Sequence, residues 1–295
     1  MALVRAEPLD GRSLPALQGE GPQLCTALLP WRGRRFLLPP GQPFLSGIHE
    51  GGSAPEPALD NLVGAAKAWQ EHPDWMDQLD PASPVFSDKQ MERDLYLDRW
   101  APHLSPGMRV LDLGGGVGRF AQWLLGQDCT VELVDPDLRS LWCAMDRLAG
   151  GPGRLDLHWS TGTDLGPLAP VDCALAVELL CYVPDPAAVL REIRRLLRPG
   201  GRLLLSVEAD QGTSEDGVHH VPGDRWVQTY SADSLRALLS DWEILELQPS
   251  HYVLSGPLED QAQGLDLDDI RAIEQLARAD PKLREQHRAW IAVVR

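Results

Sequence analysis

From Gly107 onward, short runs of leucine and β-branched residues alternate with stretches whose apolar positions recur every three or four residues. Short continuous or alternating apolar runs read as strands, and recurrence at i, i+3 and i+4 reads as one face of a helix. The pattern predicts strands near 108–113, 130–135, 154–159, 172–178 and 202–208, with helices near 117–126, 137–149 and 185–198 between them. The last helix should stop at Arg198-Pro199-Gly200-Gly201, where proline and glycine cannot continue it. Ser231 is placed to cap a short helix, followed by a strand at 242–248, a helix near 266–288 and a final strand at 290–294. Alternation of this kind is the signature of an α/β fold with a doubly wound sheet.

The first hundred residues read differently. Residues 1–58 are rich in proline and glycine, with short apolar runs at 31–38 that fit a strand or hairpin. They read as an irregular N-terminal extension. From 57 to 103 the pattern turns helical: Leu59, Leu62, Val63, Ala66 and Trp69 share a face, and 91–104 form a second helical stretch. The predicted division is an extension at 1–58, a helical lid at 59–105 and the main domain at 106–295.

Charge and cysteine usage narrow the partners. Lys and Arg number 27 against 43 Asp and Glu, a formal net charge of -16, so nucleic acid is repelled on average. The basic clusters at 32–35 and 191–202 read as a solvated loop and a helix end. Cys25, Cys129, Cys143, Cys173 and Cys181 show no CxxC spacing, and no metal site is expected. Cys173 and Cys181 lie in apolar stretches and read as buried small hydrophobes. The N-terminus lacks the apolar core of a signal peptide. The apolar stretch at 171–183 is broken by Asp172 and Glu178 and is too short to span a bilayer. The expectation is a cytoplasmic protein, monomer or homodimer, with no membrane or nucleic-acid partner.

Residues 110–120 read Val-Leu-Asp-Leu-Gly-Gly-Gly-Val-Gly-Arg-Phe, a strand, a glycine turn and a helix start. Gly114 and Gly116 would let a ligand approach the backbone, and Gly118 would let the helix pack on the strand. Asp112 stands two positions before the first glycine, and an anion there repels a pyrophosphate. Arg119 occupies the third glycine position of a Gly-x-Gly-x-x-Gly fingerprint. Both residues count against an NAD(P)-dependent oxidoreductase. They suit a ligand bringing positive charge and hydroxyls without phosphate, as S-adenosylmethionine does. Asp135 ends the next strand, 19 residues beyond Gly116. It is placed to accept hydrogen bonds from ribose hydroxyls; the alternative is that Asp135-Pro136-Asp137 caps the following helix.

Taken in order, VLDLGGGVG, VELVDPD, TGTDLGPL, VDCALAVELLCYVPD and LLRPGGRLLLSV resemble the class I S-adenosylmethionine-dependent methyltransferases of small-molecule type, over about residues 106–210. The resemblance implies a Rossmann-like sheet, with 289–295 as its antiparallel final strand. It implies that Asp112, Gly114, Gly115 and Gly116 contact the methionine part of the cofactor, and that Asp135, with Pro136, holds the ribose. Thr163, Asp164 and Leu165 would meet the adenine, and Val177 and Glu178 would lie beside the sulfonium. Cys181-Tyr182 stands where the family often has a histidine.

The implied reaction is methyl transfer to an oxygen or nitrogen of a small-molecule acceptor; a non-catalytic S-adenosylmethionine-binding protein on the same scaffold is a further alternative. In the polar loop expected at 209–229, His219 and His220 are candidate proton acceptors. His251 and Tyr252 are candidates on the same reasoning. Trp75, Met76, Phe86, Tyr96 and Trp100 of the lid, with Trp226 and Tyr230, would line an apolar acceptor pocket; helix packing is the alternative for each.

Overall fold

The computed structural model describes residues 26–31, 34–37, 77–148, 152–163, 165–166, 168–212, 217–221, 225–254, 256, 258 and 264–295. In chain order, a hairpin of β1 (Thr26–Trp31) and β2 (Arg34–Leu37) comes first, followed by helix α1 (Phe86–Trp100). The alternating core then runs β3 (Arg109–Leu113), α2 (Arg119–Gly126), β4 (Thr130–Asp135), α3 (Leu138–Leu148), β5 (Arg154–Trp159), β6 (Val171–Val177), α4 (Pro186–Leu196) and β7 (Leu197–Glu208). Last come a second hairpin, β8 (Val218–Val221) and β9 (Arg225–Gln228), then α5 (Ala232–Leu238), β10 (Ile244–Ser250), α6 (Leu267–Ala279) and β11 (Ala289–Val294).

Nine strands form one sheet in the order β1-β2-β5-β4-β3-β6-β7-β11-β10. β3 to β7 are mutually parallel, and β11 is antiparallel to both neighbours, as the resemblance implied. The chain builds outward from β3 through β4 and β5, then returns to the other side of β3 with β6 and β7. Ligands of doubly wound sheets bind at such a reversal, outside the carboxyl ends of the strands. β10 is antiparallel to β11 and so runs in the direction of β7, which brings residue 251 to that same carboxyl edge.

Alternation along the strands divides the core. Val110, Val131, Leu133, Leu155 and Leu157 face α2 and α3, with Phe120, Leu124, Leu141 and Leu148 opposite them. Leu111, Leu113, Ala174, Ala176, Leu203 and Leu205 face the side covered by α4 and α5. Burying a leucine of this kind contributes roughly 1.5–3 kcal/mol. Cys173 and Cys181 are buried, as their apolar setting predicts. Among the described residues no helix is long and apolar enough to cross a membrane.

Several boundaries differ from the pattern reading. The helix expected at 185–198 ends at Leu196, and Arg198-Pro199-Gly200-Gly201 lies within β7. β7 therefore begins five residues early and reaches its regular register only after an irregularity between Val171 and Cys173 on β6. The helix expected to 288 stops at Ala279, where Asp280 turns extended just before Pro281. The stretch expected at 91–104 begins at Phe86, and a short 3-10 turn, Ala101–His103, follows it. The helical face at 59–69, and with it Trp75 and Met76, lies outside the described residues. The expected polar loop at 209–229 contains the β8–β9 hairpin. Ser231 does cap α5, its side chain accepting the Ser234 N–H.

Candidate functional site

β3 runs straight into the glycine turn, and the Gly114 N–H donates to the Val134 carbonyl at 2.8 Å, binding the turn to β4. The Asp112 carboxylate lies directly beneath: a Cβ on Gly115 would stand 2.8 Å from its Oδ2 and 2.9 Å from Leu133. At Gly116, with φ +54°, nothing among the described residues lies within 4 Å of the same construction. That side of the turn is open to a ligand. Gly118 heads α2; the tightest neighbour of a Cβ there would be Leu148 of α3, with Leu133 of β4 and Ala144 of α3 farther off, so its closest approach is to a helix rather than to the strand its spacing suggested.

Asp112 is 2% exposed, and its Oδ2 has no hydrogen-bond partner among the described residues. Burial pushes its carboxyl up to about 7, with Arg119 acting the other way. Asp135 is also buried; its Oδ2 accepts the Gly116 N–H at 2.9 Å and its Oδ1 accepts the Asp137 N–H at 2.7 Å. Burial, then the charge of Asp137, raises it to about 7 as well. The capping alternative belongs to Asp137, whose Oδ2 accepts the Ser140 N–H at 3.0 Å. Asp135 is thereby left to brace the open side of the glycine turn, with Pro136 partly buried beside it.

Beyond β5, Thr163 is half-buried, its hydroxyl 3.0 Å from that of Thr161. Leu165 is buried among Leu111, Leu113 and Val134, and its N–H donates to Glu192 at 3.2 Å. Asp164 lies outside the described residues. Val177 ends β6, and Glu178 is the first residue past it, partly exposed and with φ +51°.

Around Glu178 stands a polar cluster that the sequence did not reveal. Its Oε1 accepts the Tyr96 hydroxyl at 2.8 Å, and its backbone N–H donates to the Ser206 carbonyl and hydroxyl. Nearby, Glu92 Oε2 takes both Lys89 at 2.8 Å and Arg119 at 2.5 Å. Burial alone would raise Glu92, but Arg119, Lys89 and His251 outweigh it and hold the carboxyl well below the usual range. Glu178 moves the opposite way, pushed up by burial and by the charge of Glu92.

His251 is buried with φ +63°, its ring centroid 4.6 Å from that of Tyr96. Burial lowers its pKa, and its Nε2 has no partner among the described residues. Glu274 of α6 accepts the N–H groups of Tyr252 and Val253, which fixes this turn.

The lid aromatics divide. Tyr96 and Trp100 are fully buried, stacked on each other at 5.0 Å and packed against Phe120, so they belong to the core rather than to an open pocket. Phe86 is only partly buried. Tyr230 and Tyr252 are likewise buried, their hydroxyls donating to the carbonyls of Leu180 and Arg284. Trp226 is partly buried on β9. His219 and His220 lie on β8, paired through the backbone with Val227 and Trp226; their side chains lie outside the described set. The hairpin is joined to the segment after Glu178 by the Gln228 N–H, which donates to the Cys181 carbonyl at 2.7 Å.

A family model described as a methyltransferase domain matches residues 88–243, more than half of the chain. A tRNA U34 carboxymethyltransferase of Chromohalobacter salexigens is 30% identical over 193 residues, 61% of this chain and 55% of that protein. A ubiquinone biosynthesis O-methyltransferase of Xylella fastidiosa is 35% identical over 136 residues, 45% of this chain and 53% of the relative. The chain thus spans about half the length of these curated relatives. Among solved structures, the Burkholderia thailandensis 1,6-didemethyltoxoflavin-N1-methyltransferase with bound S-adenosylhomocysteine is similar with a TM-score of 0.53 and 20% identity, covering 84% of this chain and 93% of that one. At that identity the likeness concerns the fold.

Proposed function

Because the chain belongs to the methyltransferase-domain family, we propose that it moves a methyl group from S-adenosylmethionine to an oxygen or nitrogen of a small-molecule acceptor by in-line displacement. The reading rests above all on Asp112, a buried carboxylate with an unpartnered oxygen under a glycine turn that is open at Gly116. An anion so placed suits the cationic ammonium of this donor and repels a pyrophosphate. When bound, the donor supplies an electrophilic methyl carbon on a positively charged sulfur.

The residue roles follow from position. Gly114, Gly115 and Gly116, with Asp112, would hold the methionine part, and Asp135, braced beside Pro136, would accept the ribose hydroxyls. Thr163, Asp164 and Leu165 would border the adenine, while Val177 and Glu178 would face the sulfur. Much of the rate in such a displacement comes from holding the reactants in line. His219 and His220, on the hairpin joined to the segment after Glu178, would accept the proton that an attacking hydroxyl gives up. A net charge of -16 favours a small acceptor over a polyanion such as tRNA.

Calorimetric titration with S-adenosylhomocysteine and with NAD tests the donor site. Tight NAD binding with no response to S-adenosylhomocysteine would sink the reading. Transfer of labelled methyl groups to a panel of phenols and primary amines, with tRNA alongside, tests the acceptor class. Labelling of tRNA alone would overturn the small-molecule part.

A further inference from the structure

Donor and spent product differ by one methyl group and one positive charge on sulfur; every other ionisable group is common to both. The following inference rests on the methyl-donor reading and concerns how the site tells the two apart. β4 and β6 flank β3 on opposite sides and run parallel to it. Asp135 and Glu178 therefore leave the same edge of the sheet on either side of the glycine turn. A ligand that lays its ribose toward Asp135 and crosses the turn brings its sulfur toward Glu178. The β6 end lies directly against the turn, since a Cβ on Gly114 would meet Leu179 at 3.0 Å.

Glu178 is held in place at both ends. It is one of three non-glycine residues with positive φ among the described residues, a conformation that persists only where the surroundings impose it. Its backbone N–H is bonded to Ser206, and its carboxylate to the hydroxyl of Tyr96. Tyr96 is itself fixed between Trp100, Phe120 and His251. The charged and titratable groups facing Glu178 are Glu92, Lys89 and Tyr96 from α1, Arg119 from α2 and the Cys181 thiol of its own segment. Glu92 already binds both Lys89 and Arg119. Glu178 is thus a partly exposed residue whose carboxylate is held in place at the reversal point of the sheet.

We propose that Glu178, oriented by Tyr96, reads the charge on the ligand's sulfur and favours the cationic methyl donor over the neutral product. Loss of the methyl group leaves the sulfur neutral, so the attraction ends with the reaction and product release becomes easier. Tyr96 acts as a positioning residue.

The test is calorimetric titration of the full chain with S-adenosylmethionine and with S-adenosylhomocysteine across roughly pH 5 to 9. Asp112, Asp135 and the amino-acid end of each ligand contribute alike to both, so the ratio of the two Kd values isolates the group that senses sulfur charge. An opposite charge within about 4–6 Å moves a carboxyl pKa by about 1–3 units, so preference for the donor should grow about ten- to a thousandfold as Glu178 ionises. Glu178→Gln should flatten that rise. Tyr96→Phe removes a donor that favours the ionised carboxylate and should move the rise to higher pH; because it keeps the ring, it serves as the test if Glu178→Gln fails to fold. A ratio independent of pH in the wild type, or an unchanged rise in either folded variant, overturns the proposal. Binding of neither ligand overturns the methyl-donor reading instead.

Discussion

Asp112→Asn replaces one carboxylate oxygen by an amide on a side chain that is 2% exposed and whose Oδ2 has no partner among the described residues. Burial lifts the carboxyl from 3.8 to about 7 in the folded protein. Between those values the folded chain keeps the proton and the unfolded chain has lost it. Unfolding there releases a proton, so stability falls as pH rises through the window and the full penalty is present above it. The difference of about 3 units corresponds to a ceiling of about 4 kcal/mol. Asparagine carries no such penalty. The ligand-free variant should therefore be more stable than the wild type at pH 8 by up to about 4 kcal/mol, and nearly equal to it near pH 4. Urea unfolding at the two pH values measures this directly. The same variant should bind S-adenosylmethionine about ten- to a hundredfold more weakly, since a hydrogen bond to a charged group contributes about 1.5–3 kcal/mol. Equal stability of the two proteins at pH 8 would refute the reasoning, because the buried charge would then carry no cost.

Asp135→Ala should weaken S-adenosylhomocysteine binding by about 1–3 kcal/mol by calorimetry, and an unchanged affinity would remove Asp135 from the ribose site. Glu92→Ala deletes the carboxylate that Lys89 and Arg119 share and should destabilise the fold by about 3–5 kcal/mol in chemical unfolding; a change under 1 kcal/mol would show that the cluster is solvated. Replacing His219 and His220 together by alanine should slow labelled methyl transfer to a hydroxyl acceptor by about 10²–10⁴-fold, and full activity in the double variant would end their candidacy.

The parallel core was legible because its signals are local. β4 and β5 coincide with the apolar runs at 130–135 and 154–159, and the glycine turn and Asp135 stand where the spacing put them. What escaped the sequence depends on distant partners. Lys89 and Glu92, three residues apart, carry no local sign of burial; Arg119, nearly thirty residues away, makes them a partly buried cluster. His251 stood among the candidates, but its burial gives no local signal: its setting is made by Tyr96 on one helix and Glu274 on another. The β8–β9 hairpin escaped because two four-residue strands with polar positions are too short to show a period.

That hairpin has an evolutionary consequence. Its tie to the β6 end includes a main-chain bond, the Gln228 N–H to the Cys181 carbonyl, and at its base the Thr229 and Tyr230 N–H groups meet the carbonyls of Gly217 and Glu208, with the Thr229 hydroxyl also donating to Gly217. The main-chain bonds are blind to side-chain identity. On the proposed reading, hairpin positions other than the core residue Val227 are therefore free to drift under selection for new chemistry while the donor side, assigned to Asp112 and Asp135, stays constant. If the hairpin borders the acceptor as proposed, descendants of such a scaffold can trade one acceptor for another by rewriting strand residues around Val227, with no rebuilding of the sheet beneath.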